Sequence, residues 1–131
     1  MKKFFILITS LLCSCAFLFG ASKAVSDTFF TDVSVRQAEE LIKNYTDNPD
    51  FIIIDVRSPS EYESGHIEEA VNINYYDSDF VAQLDKLDKE KTYLIYCRSG
   101  SRSSRALKTM KELGFKKIYH LKKGYNSWVN R

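Results

Sequence analysis

The chain is poor in the residues that break, bend or staple a fold. Its 131 residues include 2 prolines, 5 glycines, 3 cysteines and 1 tryptophan. That scarcity excludes collagen-like and low-complexity chains. No block of like charge and no internal repeat appears, which removes polyelectrolyte tails and repeat arrays. The apolar stretches stop short of the ~20 residues that a spanning helix requires. What is present is 44% hydrophobic and 27% charged residues, the balance of an ordinary globular fold. A length near the ~100–150 residue mode for domains holds one core, so multidomain enzymes and dinucleotide folds with a second domain are excluded too.

Residues 1–24 have the layout of an export signal. Lys2 and Lys3 make a positive start, Phe4 to Phe19 is an uncharged apolar run, and Ser22-Lys23-Ala24 puts small residues at the −3 and −1 positions of a cleavage site. The expectation is a removed signal peptide over 1–24, a domain over 25–131 and a periplasmic or otherwise exported location. Two other readings compete. One is a retained membrane anchor, for which the run is short. The other is a lipoprotein processing box, Leu12-Cys13-Ser14-Cys15, in which a lipidated Cys15 would tether the chain to a membrane. Against it, Ala16 to Phe19 would make the mature start apolar, and Cys13 stands where a small aliphatic or hydroxyl residue is usual.

Cleavage after Ala24 changes the charge and the cysteine count. It removes Lys2, Lys3 and Lys23, which takes Lys+Arg from 19 to 16 against 17 Asp+Glu, a net charge of −1 in place of +2. A near-neutral domain without a basic stripe gives no electrostatic case for nucleic acid. Cys13 and Cys15 leave with the signal, so Cys97 stands alone. A lone thiol makes no internal disulfide; it is either buried and inert or kept for its reactivity.

Along the rest of the chain strand-like and helix-like segments alternate. Ser34-Val35-Arg36-Gln37 resembles a capping box, and Val35, Ala38, Leu41 and Ile42 at helical spacing predict a helix to about Tyr45. Phe51 to Val56 is a continuous apolar run rich in β-branched residues, the mark of a strand covered on both faces. Ser58-Pro59-Ser60-Glu61 opens a short helix that Gly65 ends. Ala70 to Ile73 reads as a short strand, and Ser78-Asp79 can cap a helix through Phe80, Val81 and Leu84. Tyr93 to Tyr96 is a second buried strand. It is followed by a helix over roughly Ser101 to Leu113, a strand over Lys117 to Leu121, and a closing helix carrying Tyr125 and Trp128. Strands alternating with short helices predict an α/β domain with a parallel sheet covered on both faces.

The chemistry gathers after the Tyr93–Tyr96 strand. Cys97-Arg98-Ser99-Gly100-Ser101-Arg102 runs from that strand into a helix, which places the sulfur at the carboxyl end of the sheet, where such folds bind ligands. Loop amides at a helix N-terminus, with Arg98 and Arg102, would stabilise an anion and make Cys97 a thiolate at neutral pH. Gly100 permits a turn with positive φ. The same cradle suits a persulfide or a bound oxyanion.

Three separated motifs then resemble a known family. Asp55-Val56-Arg57-Ser58-Pro59-Ser60-Glu61-Tyr62 with Gly65-His66-Ile67, Ala70-Val71-Asn72-Ile73, and Tyr96 to Ser103 are similar to the single-domain rhodaneses, which are sulfurtransferases. The resemblance runs from about residue 30 to the C-terminus. It implies a rhodanese-like five-stranded parallel sheet with helices on both faces. It implies Cys97 as nucleophile and persulfide carrier, with Arg98, Ser99, Gly100, Ser101 and Arg102 wrapped around the substrate. A small sulfur-donor anion such as thiosulfate, or a persulfide, would serve as donor, and cyanide or a thiol as acceptor, in a monomer without a cofactor. One departure concerns the family's Leu-x-Gly-Gly turn, where Leu121-Lys122-Lys123-Gly124 has a lysine at the first glycine. Lys123 is either a solvated turn residue or an added positive charge at the site rim.

The remaining candidates have more modest expectations. Asp55 and Arg57 are expected to be a scaffold holding the loops of the site, with Glu61 as a further partner for Arg57. His66 fits a hydrogen-bonding loop residue better than a base, because sulfur transfer to a thiolate needs none. His120 has no motif around it, and one cysteine with two scattered histidines does not supply a metal site. Arg105 is expected at the surface. The phosphatases that share this fold use a Cys-x5-Arg loop, whereas Arg102 completes a Cys-x4-Arg loop, which disfavours phosphatase and arsenate reductase activity. A non-catalytic persulfide carrier serving a protein partner stays open. A thiol–disulfide oxidoreductase lacks its second cysteine.

Overall fold

The computed structural model describes residues 28–131; the expected cleavage point and Cys15 lie outside them. Five strands and five helices follow in the order β1 (Phe29–Val33), α1 (Val35–Asn44), β2 (Phe51–Asp55), α2 (Pro59–Glu63), β3 (Val71–Asn72), α3 (Phe80–Asp85), β4 (Thr92–Tyr96), α4 (Ser101–Glu112), β5 (Lys117–Leu121) and α5 (Gly124–Val129). The strands form one sheet in the order β1-β5-β4-β2-β3, every neighbour parallel.

Local chemistry accounts for the element boundaries. Ser34 caps α1 in a reciprocal box with Gln37, and Ser58 caps α2 in the same way with Glu61, each satisfying two amides that a helix start leaves unpaired. Asp79 sits at the start of α3, but its side chain makes no capping bond and accepts from Gln83 instead, at 2.7 Å. The strand read over Ala70 to Ile73 shortens to Val71–Asn72. β1 was not visible in the hydrophobic pattern. It is an edge strand whose burial is irregular and whose Asp32 is exposed.

Alternation along β4 divides the core. Tyr93, Ile95 and Cys97 belong to one cluster with Phe80 and Leu84 of α3 and Ala106 and Met110 of α4. Leu94 and Tyr96 belong to the other, with Ala38 of α1, Ile67 and, partly buried, Tyr125 and Trp128 of α5. Each fully buried Leu or Ile side chain contributes roughly 1.5–3 kcal/mol, so the central strand is the most firmly held element. β3 follows β2 outward to one edge, whereas β5 follows β4 toward the other. The crevice beyond β2 and β4 therefore lies where the winding reverses, the usual ligand position in open α/β sheets.

Candidate active site

Two segments leave the sheet side by side at that crevice. β2 pairs with β4 so that Asp55 lies opposite Tyr96. The Asp55-Val56-Arg57 segment thus emerges beside Cys97.

Asp55 and Arg57 form a buried pair, their side chains 0% and 5% exposed. Arg57 Nε donates to both Asp55 oxygens at 3.0 Å and Nη2 to Oδ2 at 2.7 Å, while the Arg57 amide donates to Oδ1 at 2.9 Å. Nη2 also donates to the Gly65 carbonyl at 2.6 Å. The guanidinium lies 4.1 Å from the Tyr125 ring centroid. One cation thereby joins β2, the loop after α2 and α5, with Nε and Nη2 hydrogen-bonded inside the protein. Burial opposes the Arg57 charge, and Asp55 more than offsets it, so its pKa is raised.

Glu61 does not pair with Arg57. Its carboxylate takes two bonds from Arg102, Nη1 at 2.8 Å and Nη2 at 2.9 Å. The Ser58 amide donates to it as well, at 3.0 Å. Arg102 beside it holds the Glu61 carboxyl down to about 2. Arg57 turns its Nε and Nη2 to Asp55 and Gly65, and α2 starts close to the first turn of α4, so the forked guanidinium of Arg102 is the partner within reach. Arg102 therefore ties two elements together. Arg98 and Ser99 are exposed, and among the described residues the Arg98 side chain has no ion-pair partner. Ser101 is exposed at the first position of α4, and Arg105 is exposed further along it.

Cys97 is 1% exposed. Its Sγ accepts from the Gly100 amide at 3.0 Å and from the Ser103 hydroxyl at 3.2 Å. Burial pushes the thiol up. The Ser103 hydroxyl and the amides of Ser103, Gly100 and Ser99 outweigh it and hold the pKa below the ordinary value, the expected effect of donors aimed at a sulfur at a helix start.

The loop keeps its shape by pressing against the turn between β5 and α5. Gly100 has φ +103°, and a Cβ there would lie 2.0 Å from the Lys122 carbonyl oxygen. From the other side, Gly124 has φ +64°, and a Cβ there would meet the Arg98 oxygen at 2.5 Å. The Tyr125 and Asn126 amides donate to the carbonyls of Cys97 and Arg98 at 2.8 and 3.0 Å. Lys123 sits between them with φ −91°, where a glycine is not needed. It is exposed. His66 stacks on Tyr62 at 3.7 Å between ring centroids, and its Nδ1 lies 2.7 Å from the Tyr62 carbonyl oxygen.

Sequence reasoning gave no part to three residues that the structure links to the sulfur, one directly and two in series behind it. Ser103 Oγ lies 2.8 Å from His120 Nε2, and His120 Nδ1 lies 2.9 Å from Asp32 Oδ1. The available signal was the alternation of β5, which points Ile118 and His120 to one face. Among the described residues no three of His, Cys, Asp and Glu stand together as a metal cluster would require.

Fold and site together define a parallel α/β domain that presents one activated thiol in a cradle of amides at the sheet's switch point. The chain belongs to the rhodanese-like domain family, whose model matches residues 37–131. It is 33% identical to thiosulfate sulfurtransferase GlpE of Coxiella burnetii over 99 residues, 76% of this chain and 87% of that protein. It is 35% identical over 99 residues to tRNA uridine(34) hydroxylase of Photorhabdus laumondii, covering 70% of this chain but 27% of that longer protein. Among solved structures it resembles a rhodanese-related protein from Thermoplasma volcanium, with a TM-score of 0.64 at 27% identity over 76% of this chain and 90% of the other. The five-stranded parallel sheet with flanking helices is the fold these neighbours share.

Proposed function

We propose that the chain is a rhodanese-type sulfurtransferase in which Cys97 carries the sulfur. The observation behind this reading is the Cys97 sulfur itself, lowered in pKa by the Gly100 amide and the Ser103 hydroxyl at the end of the central strand. The thiolate attacks the outer sulfur of thiosulfate; the new S–S bond forms as the old one breaks, and sulfite leaves with its electron pair. The resulting Cys97 persulfide then gives its outer sulfur to cyanide or to a thiolate, and the Cys97 thiolate returns. Charge balances in both half-reactions without a redox partner or a metal, which makes this double displacement through a covalent intermediate. Exposed Arg98 at the rim suits the anionic donor.

The match spanning most of a thiosulfate sulfurtransferase supports this activity over that of the hydroxylase, of which the chain covers only 27%. The proposal includes export by way of residues 1–24, with a tether through Cys15 as its variant form. Thiosulfate:cyanide turnover is the test. Wild-type chain should turn over and Cys97→Ser should not, with its circular dichroism unchanged. Turnover retained in Cys97→Ser would overturn the reading. A persulfide on Cys97 that small acceptors cannot discharge would replace the enzyme with a carrier.

A further inference from the structure

We propose that Ser103, His120 and Asp32 form a proton relay that takes the Cys97 proton toward the surface and leaves the sulfur as one half of an ion pair with the His120 imidazolium. This rests on Cys97 being the reacting thiol. Sheet register builds the relay: β1 pairs Asp32 with His120, and β4 pairs Ile95 with His120. Cys97 is two residues beyond Ile95 and therefore on the same face.

The links are Cys97 Sγ to Ser103 Oγ at 3.2 Å, Ser103 Oγ to His120 Nε2 at 2.8 Å and His120 Nδ1 to Asp32 Oδ1 at 2.9 Å. Cys97, Ser103 and His120 are 1%, 0% and 3% exposed, whereas the Asp32 side chain is 50% exposed. A buried sulfur is thus joined to water through one hydroxyl and one imidazole.

Ser103 Oγ also has the Gly100 carbonyl oxygen at 3.2 Å; along the relay itself there are two self-consistent polarities. In both, the Nδ1–H donates to the Asp32 carboxylate. With Nε2 bare, the Ser103 hydroxyl donates to it and the Cys97 thiol donates to Ser103 Oγ. With Nε2 protonated, it donates to Ser103 Oγ and the hydroxyl donates to the Cys97 thiolate. The two interconvert when the S–H bond breaks as a new O–H forms, while the old serine O–H breaks as N–H forms. No electrons leave, and Ser103 ends unchanged.

Burial of His120, 3% exposed, opposes the imidazolium of the second polarity, and two contacts offset that cost. The thiolate also gains the Gly100 amide at 3.0 Å, and the imidazolium faces a carboxylate whose own pKa is lowered chiefly by the bond to His120. Other charges near the relay are few. Lys122 Nζ stands 3.5 Å from Asp32 Oδ2 on the solvent side. On α4, Arg102 is taken by Glu61, and Lys111 Nζ lies over the Phe30 ring at 4.9 Å. β4 offers the imidazole Ile95, and Cys97 lies just beyond its end. Ser103 touches the reacting Cys97 Sγ, whereas His120 acts through Ser103 and is a positioning residue.

The test uses imidazole nitrogen NMR of the full chain at neutral pH, with His66→Gln to assign the second histidine, and alkylation of Cys97 by iodoacetamide against pH. Wild-type His120 should carry protons on both nitrogens, and Cys97→Ala should leave one of them bare. Ser103→Ala and His120→Gln should shift the alkylation midpoint upward by about one pH unit, about a tenfold slower reaction below it. Asp32→Asn, a surface change, should move it in the same direction. A bare His120 nitrogen in wild type while ultraviolet absorbance shows Cys97 already a thiolate would overturn the relay, and so would an unmoved midpoint in folded Ser103→Ala. No sulfur donor is present in either experiment, so failure of the sulfurtransferase reading would appear separately, as missing turnover.

Discussion

Replacing Gly124 with alanine should do far more harm than any change at Lys123, its neighbour in the same turn. Gly124 has φ +64°, and a Cβ built on it would lie 2.5 Å from the Arg98 carbonyl oxygen and 2.7 Å from that of Cys97. Both obstacles are backbone, so no side chain can swing aside. Left-handed backbone costs a non-glycine residue ~1–2 kcal/mol, and pushing two carbonyls back to ordinary contact adds ~1–3 kcal/mol. The sum, roughly 2–5 kcal/mol, lowers the Tm of a domain this size by at least ~8 °C. The same carbonyls accept the Tyr125 and Asn126 amides, so the displacement should also loosen the loop around the sulfur and raise the alkylation midpoint of Cys97. Lys123, at φ −91°, is in ordinary backbone. Lys123→Gly should cost only glycine's extra entropy, ~0.5–1 kcal/mol. Urea unfolding and alkylation against pH read both effects. Gly124→Ala within ~0.5 kcal/mol of wild type, or Lys123→Gly costing more than it does, would refute the steric argument.

Three further outcomes follow from the site. Glu61 has its folded pKa lowered from 4.5 to about 2, so its contribution is full above the unfolded value and is lost as pH falls from ~5 toward 2; with solvent screening it amounts to ~1–2 kcal/mol. Glu61→Gln should therefore flatten the acid limb of a stability-against-pH curve, and an unchanged limb would contradict the pairing with Arg102. Asp55→Asn should cost ~3–5 kcal/mol in urea unfolding, because it leaves the Arg57 charge buried without its counter-ion; a loss under ~1 kcal/mol would mean that the pair is not a scaffold. Arg98→Gln should raise the KM for thiosulfate about two- to fivefold with kcat nearly constant, the scale of an exposed charge contact, and a kcat effect alone would place Arg98 elsewhere in the reaction.

Much of this was legible in the sequence wherever the cause is local. Capping at Ser34 and Ser58, the apolar run of β2 and the passage from β4 through Cys97 into α4 each depend on neighbours in the chain. Partners far apart in sequence were not legible. Glu61 was expected beside Arg57, but its partner Arg102 is 41 residues away, and which of two arginines a carboxylate meets depends on how α2 and α4 pack. His120 looked isolated because its contacts are 17 and 88 residues distant. Asp32 was hidden with β1, an edge strand too unevenly buried to show a period. The family's turn motif pointed to Lys123 as a departure; the backbone angles explain it, since the demand for glycine falls on Gly124.

The central claim is that a sulfur atom travels on Cys97. Mass spectrometry of the chain before and after thiosulfate, and again after a thiol reductant, tests it most directly. The account predicts a gain of one sulfur on the Cys97 peptide that the reductant removes and that Cys97→Ser never acquires. An unchanged Cys97 mass after thiosulfate and after a persulfide donor, in a chain whose thiol still alkylates, would contradict it.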